Sequence, residues 1–308
     1  MSHATADREE PSRRFGVMWL VLAAALAGNA LIGPLGFDLV DYPLTETLRN
    51  QTIGLEVVTL ALVVPMCLAA GVLALRGHQA AGALGFGPAG YAAYMSVQYV
   101  LGPGYGYYAP VVPLQLAIFS LGGTMAIWSW NAVSVRRLPP LSRQTERRHG
   151  VVLLGVAGFV LVRYAGAIAG FFTGTPIATA YAETRTFYWS IFLLDLGVVV
   201  PATVVAAIAL FSGAPFAGTA LYAVVGWFAL VPPSVAAMAV TMLVNDDPYG
   251  SVWQVVTLSA ASLLFLWWAV QVYRPLFGRS RSAARDATDE QSAGEQPGEQ
   301  ATSAAADG

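Results

Sequence analysis

The chain has 308 residues, of which 56% are hydrophobic and only 11% charged, with a formal net charge of −2. A soluble protein carries about 25% charged residues, so this balance excludes an ordinary soluble domain. Near-neutrality gives no basis for nucleic-acid binding. All 16 basic residues are arginine, which excludes lysine Schiff-base chemistry, and the lone Cys67 excludes an intrachain disulfide.

In chain order, the charges fall at the ends and between long apolar runs. Residues 1–12 are polar and are expected to be disordered. Arg13 and Arg14 precede an apolar run over 15–33, and further runs lie near 52–75, 80–102, 111–135, 150–172, 187–211, 217–244 and 252–273. Each is long enough to cross a ~30 Å hydrocarbon core as a helix. The pattern predicts an all-α, polytopic transmembrane helix bundle of about eight spans over 13–277. Residues 278–308 contain no aromatic residue and are rich in Ala, Ser, Gly, Gln and Glu. They are expected to form a disordered cytoplasmic tail.

The loops set the orientation. Arg13, Arg14, Arg76, Arg136, Arg137, Arg143, Arg147, Arg148 and Arg274 all fall on one side of an eight-span layout. That side is expected to be the cytoplasm, with both termini there. The opposite loops carry Asp38, Asp41, Glu46, Glu183, Asp246 and Asp247, with Tyr105, Tyr107 and Tyr108. The Ala/Gly/Arg bias fits a high-GC bacterial genome, so the expected location is the bacterial inner membrane.

The two halves share an ordered set of matches at a near-constant offset. Arg13-Arg14-Phe15-Gly16-Val17 pairs with Arg147-Arg148-His149-Gly150-Val151, and Val63-Val64-Pro65 with Val199-Val200-Pro201. Trp130-Asn131-Ala132-Val133 pairs with Trp267-Trp268-Ala269-Val270. The reading is a 4+4 duplication, 13–137 and 147–277. An even number of spans per repeat makes the repeats parallel, related by an axis along the membrane normal.

Three ionisable residues sit well inside spans: Glu56, Arg163 and Asp195. Charged residues at such depth face the bundle interior and find partners. Helical rise places Arg163 roughly 19 Å above one face and Asp195 roughly 12 Å below the other, at nearly one depth. The expectation is an Arg163–Asp195 ion pair. By the repeat offset, Arg163 corresponds to Asn29 and Asp195 to Thr59, a neutral polar pair in the first half. Glu56 lies one turn outward from Thr59 and has no cation within a span. Arg49, Arg185 and Arg163 are the partners within reach. A carboxyl that can change its protonation is what a proton-coupled carrier needs. A buried ion pair that only fixes helix register is the structural alternative for Arg163 and Asp195.

Gln98 lies on the third span beside Tyr91, Tyr94 and Tyr99. Interfacial tyrosines usually form an anchoring belt; a hydroxyl-lined vestibule is the other reading. Pro232 and Pro233, mid-span, mark a hinge candidate, with Ser234 placed to return a missing hydrogen bond. Asp246 and Asp247 are a weak metal candidate, and more often such a stretch is a turn. His3, His78 and His149 form no buried ligand set, no phosphate-cradling Gly-Lys loop exists, and no serine has a histidine partner, so no cofactor is implied. The favoured function is a small-molecule or ion carrier, or ligand-binding membrane protein, whose site gathers Glu56, Arg163, Asp195, Asn29, Thr59 and Gln98. Its partners would be the bilayer and a small molecule or proton. The alternatives are a non-enzymatic accessory or scaffold subunit of an envelope complex and, behind it, a lipid-handling membrane enzyme.

Overall fold

A computed structural model describes the backbone of residues 3–135 and 138–278, and the side chains of 13–133 and 138–278. Among the described residues every regular element is helical. They are α1 (His3–Ile32), α2 (Glu46–Val58), α3 (Val64–Leu75), α4 (Ala80–Leu101), α5 (Val111–Val135) and α6 (Arg143–Arg163). After them come α7 (Ala165–Thr173), α8 (Arg185–Leu194), α9 (Val200–Ser212), α10 (Ala217–Phe228), α11 (Val231–Val244) and α12 (Val252–Tyr273).

Each of the eight apolar runs is helical. Six stretches are long and apolar enough to cross a membrane, and a seventh counts if α6 and α7, bent by 42°, form one span. α4 falls outside that set because Gly, Ala and Tyr fill it. Its place accounts for this: it packs on α3, α5, α8 and α10, so much of its surface meets protein and not lipid. Small residues permit that closeness. A Cβ on Gly87 of α4 would lie 2.5 Å from the Gly226 carbonyl oxygen of α10.

α1 begins at His3, inside the segment 1–12 that was expected to be disordered. Adding residues to an existing helix brings one hydrogen bond per residue, without the cost of a new nucleus. The expected tail lies, from residue 279, outside the described residues.

Within each half the helices pack largely in chain order. α1 packs on α3, α3 on α4, and α4 on α5; α6 packs on α9, α9 on α10, and α10 and α11 on α12. Across the halves, α2 meets α11 and α8 meets α4, while α4 and α10 meet each other.

Two irregular turns occupy matching places. A π-helical turn, Thr59–Val63, joins α2 to α3, and another, Asp195–Val199, joins α8 to α9. Each runs into a Val-Pro pair. Proline lacks an N–H and its ring crowds the carbonyl four residues back. The preceding turn widens, and the N–H of Val64 bonds to the Thr59 carbonyl and that of Val200 to the Asp195 carbonyl. Such bulges occur frequently at functional sites. A third break, at Ala229 and Leu230, separates α10 from α11 just ahead of Pro232 and Pro233.

Candidate functional site

Glu56 is on α2, one turn above the first π-helical turn, and is 1% exposed. Its Oε2 accepts from the Leu35 backbone N–H at 2.8 Å. Its Oε1 is buried with no hydrogen-bond partner. The chain leaves α1 directly over this carboxyl. A Cβ on Gly33 would lie 2.0 Å from Oε1, so only glycine allows the approach. Among the described side chains no cation makes an ion pair with Glu56. Arg49 is paired with Asp38 at 2.8 Å, and Arg185 Nε donates to the Ala182 carbonyl at 3.2 Å. A buried polar atom left without a partner costs about 1–3 kcal/mol, and more when charged.

Polar groups from several helices surround this position. Tyr42, in the loop before α2, packs its ring 5.3 Å from that of Tyr99, and its buried hydroxyl also lacks a partner. Burial first, and the nearby Glu56 charge second, push the Tyr42 pKa up, while Gln115 acts the other way. Gln115 Nε2 donates to Asn29 Oδ1 at 2.5 Å. One turn inward, the Tyr91 hydroxyl lies 3.3 Å from both Thr59 Oγ1 and Ser234 Oγ. Ser234 Oγ also lies 2.9 Å from the Leu230 carbonyl, returning a bond at the α10–α11 break as its sequence position implied. Tyr91 thus joins a π-helical turn of the first half to the broken helix of the second. Gln98 is buried on the same helix as Tyr91.

Asp195 opens the second π-helical turn, and here the expectation fails. No ion pair joins it to Arg163. Tyr94 donates to Oδ1 at 2.6 Å and Tyr164 to Oδ2 at 2.5 Å. The Arg163 guanidinium lies instead 5.7 Å from the Tyr164 ring centre, and the side chain is exposed on the bundle's flank. The depth estimate omitted rotation about the helix. α6 ends at Arg163, and at the bend it is Tyr164 that turns inward, 6% exposed. The neutral counterpart also differs from expectation: Asn29 bonds to Gln115, and Thr59 to Tyr91 and the Leu55 carbonyl.

The six proposed site residues therefore divide. Glu56, Asn29 and Thr59 belong to the first-half cluster, Asp195 to a separate one with Tyr94, Tyr164 and Trp227, whose ring is 4.8 Å from that of Tyr94. Gln98 is buried on α4, without a side-chain tie to either cluster among the described residues. Arg163 stands at the edge of the second. The residues that sequence reasoning did not place at the site are Tyr94, Tyr164, Gln115 and the Leu35 amide. Tyr94 carried a usable signal, since it shares a helix with Tyr91 at the depth of the spans' charges. Tyr164 and Leu35 carried none, because a helix bend and a backbone donor placed them.

Asp247 is a structural tie. Its carboxylate accepts from Thr47 Oγ1 at 3.3 Å, Asn50 Nδ2 at 3.1 Å and the Tyr249 N–H at 2.9 Å. Asn245 completes the link, donating to Asn50 Oδ1 at 2.7 Å. These bonds fasten the α11–α12 loop to the start of α2. Asp246 is exposed in a left-handed conformation, φ 51°. Among the described residues no three His, Cys, Asp or Glu side chains gather as a metal site.

Comparison with protein-family models, curated proteins and solved structures gave no match.

Proposed function

We propose that the chain is a carrier or ligand-binding protein for a small molecule or ion, with Glu56 as its proton-exchanging group and Asp195 as a second polar site. The observation that carries this reading is the state of Glu56: a carboxyl 1% exposed, with one oxygen lacking any donor and, among the described side chains, no ion-pair partner. Structural carboxylates in helical bundles are satisfied, as Asp247 is here. An unsatisfied one is suited to exchanging a proton.

The finer architecture belongs to the same proposal. It comprises eight spans in two parallel four-span repeats, both termini cytoplasmic, in a bacterial inner membrane. The matched π-helical turns and the chain-order packing within each half support the repeats, and the arginine-rich loops support the orientation.

A ligand-screened thermal-shift assay tests the function, using wild type, Glu56→Gln and Asp195→Asn. The reading expects a small molecule or ion that raises the melting temperature of wild type and loses its effect in at least one variant. A screen in which every effective compound acts equally on all three would reject it.

One observation favours the accessory-subunit alternative. α7 is apolar and has no buried residue; Phe171 packs on Trp189 and Phe192 of α8, while Ile168 and Phe172 stay exposed to lipid or to another subunit. No arrangement among the described residues favours the lipid-handling enzyme, and it is not carried forward.

A further inference from the structure

At the N-terminal end of α6, Arg143, Gln144, Arg147, Arg148, Val151 and Val152 line an open groove of about 680 Å³. The spacing orders it. Residues four apart stack on one helix face, giving two parallel rows, Arg143–Arg147–Val151 and Gln144–Arg148–Val152. Both rows pass from cationic or polar to apolar within about two turns. Val151 is 62% exposed and Val152 43%. The face continues through Gly155, where a Cβ would meet nothing within 4 Å, to the exposed Phe159.

Among the described side chains only one of the three arginine charges is paired. Arg143 pairs with Glu146 at 2.7 Å. Among the described side chains, Arg147 and Arg148 have no carboxylate within ion-pair distance. Two free guanidiniums therefore stand directly beside an apolar strip on a membrane-facing helix. Guanidinium groups match phosphate oxygens in geometry and charge.

We propose that this groove binds an anionic phospholipid, its phosphate held by Arg147 and Arg148 and its acyl chains laid along Val151, Val152 and Gly155. The apolar continuation selects a lipid over a free phosphate, because a soluble anion gains nothing from the strip. Basic residues near a membrane surface attract anionic headgroups. The inference is independent of the carrier reading.

The test uses the full chain in a neutral detergent. Phosphatidylglycerol, phosphatidylcholine and inorganic phosphate are titrated in turn, with bound lipid counted by native mass spectrometry and melting followed in parallel. The expected result is preferential retention of phosphatidylglycerol and a higher melting temperature. Arg147→Gln with Arg148→Gln should weaken retention on the order of tenfold, with Arg147→Lys and Arg148→Lys intermediate. Arg274→Gln, at the same end but outside the groove, should leave it unchanged. Equal retention of phosphatidylcholine, equal stabilisation by phosphate alone, full retention in the double Gln variant or equal loss in Arg274→Gln would each overturn the proposal. Arg147 and Arg148 are both exposed, so their replacement leaves the core intact, which the unliganded melting temperature checks.

Discussion

Arg163 and Tyr164 are neighbours in the chain, yet only Tyr164 meets Asp195, donating to its Oδ2 at 2.5 Å while Arg163 lies outside. An ion pair and a tyrosine-held carboxylate make opposite demands on mutation. If Arg163 neutralised Asp195, removing it would leave an uncompensated buried charge and cost about 3–5 kcal/mol. In the tyrosine-held arrangement, Arg163→Ala should change stability by less than about 0.5 kcal/mol. Tyr164→Phe and Tyr94→Phe should each cost about 1–3 kcal/mol, because each removes a donor from Asp195. Thermal unfolding in detergent separates the two patterns.

The Gly33–Glu56 approach leads to a coupling experiment. Gly33→Ala places a methyl group on Glu56 Oε1 and should destabilise by about 1–3 kcal/mol, as overpacking does. Glu56→Ala removes the obstacle. The double variant should therefore be more stable than the sum of the singles predicts, with a coupling energy of about 0.5–3 kcal/mol. Gly28→Ala, where nothing lies within 4 Å, serves as the control.

Asp247→Ala should cost roughly 1–3 kcal/mol, since it strands the donors of Thr47 and Asn50 in a buried site. Asp246→Asn should be close to neutral, because Asn tolerates the left-handed backbone that Asp246 adopts. Hydrogen exchange at the start of α2 should rise in the Asp247 variant alone.

Tyr42 predicts a pH dependence. Its folded pKa is raised above the ordinary value of 10.0 by burial and by Glu56. The folded state therefore holds the phenolic proton more tightly than the unfolded state does. The associated stability is complete below pH 10 and is lost as pH rises from there toward the folded pKa. Tyr42→Phe should flatten the alkaline decline in melting temperature above pH 10, and an unchanged slope would contradict the assignment.

Much of the helical architecture was legible in the sequence because the length of an apolar run is a one-dimensional signal. All eight apolar runs became helix, and Pro65 and Pro201, matched between the halves, each prove to follow a π-helical turn. The site was legible only in part. Burial of Glu56 followed from its position within a span, whereas the sequence left Arg49, Arg185 and Arg163 open as its partners. The partner of Asp195 did not, because depth along a helix says nothing of azimuth and the bend at Tyr164 has no proline to mark it. Asp246 and Asp247 lie in the turn that their sequence favoured, but the role of Asp247 as a tie was not legible, because its partners Thr47 and Asn50 lie far off in sequence and come close only when α2 meets α11.

The central claim is that Glu56 exchanges a proton inside the bundle. Infrared difference spectroscopy between acidic and alkaline pH, on wild type, Glu56→Gln and Asp195→Asn in lipid, tests it most directly. The account predicts a protonated-carboxyl band in wild type that is absent from Glu56→Gln and retained in Asp195→Asn. Superimposable spectra from wild type and Glu56→Gln would contradict it.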